Sequence, residues 1–165
     1  MRMAEREAAQ AAWEVEVPDE QASARLAGKL AAAMRPPCVV YLQGDLGAGK
    51  TLFTRAYIHA LGFEGYVKSP SYGLLETYRV GGQTILHLDL YRIEDPEELE
   101  YLAIRDLYGP DCVLMVEWPD RGENFLPDAD LLLEFCEKGE TRFIKCMPFS
   151  TKGWELARNL DKSGR

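Results

Sequence analysis

The chain has 165 residues, of which 47% are hydrophobic and 28% charged, the balance of one globular domain large enough to bury a sizeable core. Its net charge of −8, from 27 acidic against 19 basic residues, argues against a protein that holds nucleic acid through its own surface, because phosphate contacts need clustered Lys and Arg. No apolar run approaches the roughly 20 residues that span a bilayer, and the N-terminus has acidic residues and no apolar core of a secretion signal, so a cytoplasmic protein without membrane association is expected.

Residues 1–12, rich in Ala and Glu, read as a flexible extension, residues 13–150 as the main domain and 151–165 as a C-terminal helix and tail. Trp13 to Val17 alternates apolar and charged residues, the pattern of a half-buried strand. Asp19 is placed to cap a helix whose apolar face is Ala22, Leu26, Leu30 and Ala33/Met34, and Pro36-Pro37 stops it. Cys38 to Leu42 is a buried-strand run. Thr51 to Leu61 reads as a helix, with Leu52, Ala56 and Ala60 on one face and Phe53, Tyr57 and Leu61 beside them. A connector, Gly62 to Ser71, leads to two strand-like runs, Tyr72 to Val80 and Thr84 to Leu90, turned at Gly81-Gly82.

Asp95 then caps a helix that begins at Pro96 and runs to Leu102, with a second short piece to Leu107 before Gly109-Pro110. Cys112 to Val116 is another buried run, and Trp118 to Pro127 a loop. Asp130 to Cys136 and Arg142 to Met147 form a second hairpin, turned at Lys138-Gly139, and Lys152 to Leu160 a terminal helix. Crossovers through helices combined with two hairpins predict an α/β fold of the P-loop NTPase type, its mixed sheet parallel at the centre, antiparallel in the hairpins and flanked by helices. Cys38, Cys112, Cys136 and Cys146 lie in or beside apolar runs with no C-x-x-C pair, and read as buried free thiols.

Gly44-Asp45-Leu46-Gly47-Ala48-Gly49-Lys50-Thr51 matches G-x-x-x-x-G-K-[ST], the phosphate-binding loop of nucleoside triphosphatases. Its context is the one the chemistry needs, a buried strand before it and a helix after it. Glycines let the backbone turn tightly and bring the N–H groups around Leu46, Gly47, Ala48 and Gly49 to bear on phosphate oxygens. The helix start adds its positive dipole end. Lys50 reaches the β- and γ-phosphates and the Thr51 hydroxyl ligates Mg²⁺. ATP, its product ADP and Mg²⁺ are the ligands expected.

Such a loop needs a carboxylate at the end of a neighbouring buried strand. Asp89 ends the run Ile85 to Leu88, and Glu117 ends the run Val113 to Val116. Glu117 is assigned to Mg²⁺, directly or through water. Asp89 either orients the attacking water or completes the metal shell, and the sequence leaves both open. Lys68, Ser69 and Ser71 sit in the connector where a γ-phosphate sensor belongs, although an ordinary Ser-Pro turn reads the same way. His59 and His87 are read as packed or surface residues, and Trp118 as core edge or lid.

Taken in order, the phosphate loop, Val67-Lys68-Ser69-Pro70-Ser71-Tyr72, His87-Leu88-Asp89-Leu90-Tyr91-Arg92 and Val116-Glu117-Trp118-Pro119 resemble the TsaE (YjeE) family over residues 13–150. The second and third of the segments after the loop are far more specific than the loop itself. One departure is Ser71, where the family usually has Thr; the hydroxyl is retained. The resemblance implies the small ATPase of bacterial threonylcarbamoyladenosine tRNA modification, a partner in the TsaB–TsaD heterodimer, Thr51 and Glu117 at Mg²⁺, and Asp89 as an essential acid. It also implies that Glu20 and Arg142 lie near the nucleotide. Direct contact with tRNA is left open. Two other readings share the motifs: an assembly factor in which hydrolysis is incidental, and a small-molecule kinase. Against the kinase, the sequence has no Arg-rich lid segment. No arginine finger is evident; Arg92, three residues past Asp89, is a candidate in cis, although its neighbours suggest a structural or interface role instead.

Overall fold

The computed structural model describes residues 11–163, so the expected extension at 1–12 lies outside the described residues except for its last two positions. Seven strands, β1 (Trp13–Glu16), β2 (Cys38–Gln43), β3 (Leu75–Val80), β4 (Gln83–Asp89), β5 (Cys112–Glu117), β6 (Leu131–Lys138) and β7 (Thr141–Pro148), form one sheet in the order β1-β7-β6-β2-β5-β4-β3. The central pairs β6–β2, β2–β5 and β5–β4 are parallel. The outer pairs β1–β7, β7–β6 and β4–β3 are antiparallel. The mixed α/β sheet is therefore as expected, with its antiparallel pairs at the two edges.

The central strands are apolar along nearly their whole length because both faces are covered. Cys38, Val40, Leu42, Ile85, Val113 and Met115 join one core. It is closed by α1 (Glu20–Ala33), α2 (Lys50–Ala60) and the C-terminal helix, through residues such as Leu30, Phe53 and Leu156. Val39, Tyr41, Leu86, Leu88, Leu114 and Val116 face the other core, closed by the 3-10 segment Pro96–Leu102 and by α3 (Ile104–Leu107). The C-terminal helix, α4 (Thr151–Ser163), is longer than its apolar pattern suggested.

The Asp19 carboxylate accepts from Ala22 N at 2.8 Å, the expected cap of α1. Three local expectations give way to packing. The buried face of α2 is Phe53, Thr54, Tyr57 and Ile58, and Ala60 is exposed: the large rings carry more apolar area than the alanines and set the face. β3 starts at Leu75 rather than Tyr72, because Leu74 N–H closes a turn on Pro70 O at 2.8 Å with φ of 67° at Leu74. Residues 96–102 coil as 3-10 and break at Ala103, whose φ is 51°.

Cys38, Cys112 and Cys146 are buried free thiols, while Cys136 is only half-buried. Burial pushes Cys38 and Cys146 up to about 12, which leaves them unreactive. Among the described residues no helix is long and apolar enough to cross a membrane.

Candidate functional site

The chain leaves the carboxyl end of β2 and turns through residues 44–49 into α2, which begins at Lys50. Gly47 and Gly49 take φ of 78° and 102°, and a Cβ at either would meet nothing within 4 Å. Conformation rather than space demands glycine there. Gly49, as the residue preceding the helix, supplies no side-chain cap, so the first N–H groups of α2 remain available to an anion. Ala48 N–H bonds Asp45 O at 3.1 Å within the turn, and Leu46 stands 64% exposed on its outside.

Lys50 is buried under this turn. Its ammonium bonds Gly44 O, lies 3.4 Å from Asp45 O, and sits 3.9 Å from the centroid of the Trp118 ring. Burial pulls its pKa down, and the carboxylates of Glu117, Asp89 and Asp45 act against that pull. Trp118 packs at the edge of one core, with its ring against the lysine.

Strand alternation delivers the acids. Along β4 and β5, Ile85 and Val113 lie in the core beneath α2, so His87, Asp89 and Glu117, at even spacings from them, project from that same face. Asp89 and Glu117 are register partners in adjacent parallel strands. Thr51 Oγ1 lies 2.9 Å from both carboxylate oxygens of Glu117. Both acids are buried, and Asp89 is held above the usual carboxylate range, first by burial and then by the charge of Glu117. Hydrogen bonds from Tyr91 N–H at 3.0 Å and Ser71 Oγ at 3.3 Å partly offset this.

The connector is anchored by Val67 and Pro70, which are buried. Ser69 Oγ and Ser71 Oγ are 2.6 Å apart, and Ser71 continues the chain of hydroxyls to Asp89. Lys68 is exposed; its backbone N–H donates to Tyr78 Oη at 3.0 Å. Arg92 lies with its guanidinium 4.4 Å over the ring of Tyr72. Glu20 is exposed at the first position of α1, and Arg142 pairs with Glu137 at 3.3 Å. Val17 N–H donates to Arg142 O, which sets the entry to α1 beside β7. The structure therefore brings Lys50, Thr51, Ser71, Asp89 and Glu117 together, while Arg142 is paired with Glu137 and Glu20 is exposed.

Two residues of the site escaped the sequence reading. His87 is fully buried with Nε2 2.7 Å from Glu117 Oε2, and Tyr78 pins the backbone of Lys68. The signal for His87 was its place two residues before Asp89 on a strand, hence on the same face.

The donor set is one of hard oxygens: a hydroxyl, a carboxylate already touching it and a second carboxylate one strand away. Among the described residues no group of three or more His, Cys, Asp or Glu could hold a metal by itself. Mg²⁺ shared with phosphate, which takes one or two protein carboxylates, fits these residues.

A buried parallel strand, a glycine-rich turn, a lysine at the helix start and acids at the ends of neighbouring strands define a fold of the P-loop nucleoside-triphosphatase type. The chain belongs to the TsaE family: residues 17–144 match the family described as threonylcarbamoyl adenosine biosynthesis protein TsaE. It is 40% identical over 142 residues to the tRNA threonylcarbamoyladenosine biosynthesis protein TsaE of Haemophilus influenzae, across 83% of this chain and 90% of that one. It is 36% identical over 128 residues to the protein of the same name from Bacillus subtilis, across 78% of each. The crystal structure of Bacillus subtilis YdiB superposes with a TM-score of 0.76 at 25% identity, over 93% of this chain and 96% of YdiB. The family is one of tRNA threonylcarbamoyladenosine biosynthesis.

Proposed function

We propose that this chain is a Mg²⁺-dependent ATPase that supports repeated turnovers of tRNA threonylcarbamoyladenosine modification by acting on the TsaB–TsaD heterodimer. The observation that carries the reading is the contact of Thr51 Oγ1 with Glu117, beside the buried Lys50. A hydroxyl at a helix start and a carboxylate from the next strand are the two protein groups a phosphate-bound Mg²⁺ uses. When bound, the ion neutralises charge on the β- and γ-phosphate oxygens.

The backbone of Leu46, Gly47, Ala48 and Gly49 cradles the phosphates, and Lys50 exchanges its carbonyl partners for phosphate oxygens. Thr51 and Glu117 hold the ion. Asp89, kept close to Glu117 and to Ser71, orients the attacking water or completes the metal shell. Lys68, Ser69 and Ser71 respond to the γ-phosphate, since the Ser69–Ser71–Asp89 chain already links the connector to an acid of the site. Glu20 and Arg142 contribute to the nucleotide pocket on the strength of the family resemblance. Of the arginines near the site, Arg92 lies over Tyr72 and Arg121 over Tyr91 and Trp118, so both are held by aromatic rings. Hydrolysis by the chain alone is therefore slow and is stimulated by partners. The domain that does this is residues 13–150, in a cytoplasmic protein.

The test is co-purification with TsaB and TsaD, with and without ATP. Nucleotide-dependent recovery of a complex supports the reading. Absence of a complex under both conditions, with ATP binding confirmed separately, contradicts it.

A further inference from the structure

The carboxylate of Glu117 is buried, and each of its oxygens needs a donor. Thr51 approaches both, but a hydroxyl has one proton and serves one oxygen at a time. The second donor is His87, whose Nε2 lies 2.7 Å from Oε2. Its ring is fully buried on the face of β4 that carries Ile85, the place of an apolar residue by strand pattern alone.

The other ring nitrogen settles the tautomer. Among the described residues, nothing lies within hydrogen-bonding reach of His87 Nδ1. A proton there would be a buried donor without an acceptor, which costs more than an unused lone pair. The tautomer that matches these partners carries its N–H on Nε2 and donates it to Glu117.

We propose that His87 is a positioning residue: its Nε2–H fixes the carboxylate of Glu117 against the Thr51 hydroxyl, so that the pair meets a divalent cation already oriented. This inference rests on the Mg²⁺ and nucleotide reading above. Groups that orient a metal ligand in this way contribute strongly to metal affinity without touching the ion.

Two substitutions separate positioning from packing. His87→Gln carries an amide N–H to about the place of Nε2. His87→Asn is as polar, but its amide reaches only the place of Nδ1. The experiment is equilibrium binding of a fluorescent ATP analogue to the full chain, in EDTA and across a MgCl₂ titration, with thermal unfolding of each variant recorded alongside. The expected result is that His87→Asn needs at least about tenfold more Mg²⁺ for half-maximal effect, while its affinity in EDTA stays within about threefold and His87→Gln titrates within about threefold of the parent. Parental Mg²⁺ dependence in His87→Asn overturns the proposal, as does an equal loss in both variants, which marks His87 as filler. If His87→Asn does not fold, His87→Gln decides alone: parental Mg²⁺ dependence supports the proposal and a tenfold loss overturns it. A parent chain that binds the analogue without any effect of Mg²⁺ overturns the functional reading itself, and the role of His87 with it.

Discussion

Thr51 Oγ1 lies 2.9 Å from both carboxylate oxygens of Glu117, although 66 residues separate the two in sequence. The sheet makes the contact. β2 and β5 are parallel neighbours with Leu42 opposite Glu117, so the strand that feeds the phosphate loop and the strand that carries the acid end side by side. Glu117→Ala should accordingly raise the Mg²⁺ concentration needed for activity, because a hard oxygen ligand or its water bridge is lost. Asp89→Asn should cut turnover while ATP binding stays near that of the parent. A Mg²⁺ titration that moves for Asp89→Asn and not for Glu117→Ala assigns the two roles the other way round.

Lys50 is buried against carbonyls and an indole ring, which positions its charge but does not satisfy it as phosphate would. Lys50→Ala should lower ATP affinity or turnover at least tenfold, roughly 1.4 kcal/mol. Isothermal titration with ATP and steady-state hydrolysis check this, and both unchanged refutes the role of the lysine.

Asp89 is an acid whose folded pKa lies above its unfolded value, so its ionisation works against the fold. Between the two values the folded chain binds more protons than the unfolded one, and this contribution makes stability fall as pH rises. Asp89→Asn retains an acceptor for Tyr91 N–H. In metal-free buffer it should raise Tm at neutral pH, by roughly 2–4 °C for each kcal/mol regained. The gain should vanish as pH falls towards the ordinary carboxylate value of 3.8. A gain of the same size at both ends of the range contradicts the assignment.

Tyr78 holds the connector at one point, through the bond from Lys68 N–H. Tyr78→Phe should cost about 1 kcal/mol and speed hydrogen exchange at the Lys68 amide, leaving exchange in β5 unchanged. Unaltered exchange at Lys68 shows that the connector is pinned by Val67 and Pro70 instead.

What could be read from the residues follows the range of the forces involved. Cys38 to Leu42 and Val113 to Val116 are recognisable as strands because both faces are covered, and the phosphate loop because its glycines answer to local backbone geometry. The start of β3 was misplaced because Tyr72 and Leu74 look like strand residues, while the turn closed on Pro70 is invisible in hydrophobic pattern. The contact of His87 with Glu117 depends on β5 lying between β2 and β4, a fact of sheet order that no local window contains. The same holds for β1, whose partner Cys146 lies at the far end of the chain.

The central claim is hydrolysis of ATP coupled to a partner. Its most direct test is steady-state ATP hydrolysis, with Mg²⁺, by the chain alone and with the TsaB–TsaD heterodimer added, using Lys50→Ala as the blank. With Arg92 and Arg121 held over aromatic rings, the lone protein should hydrolyse slowly and gain up to about 10³–10⁵-fold on adding the heterodimer, all of it lost in Lys50→Ala. Equal rates with and without the heterodimer, once binding between them is established, would contradict the account.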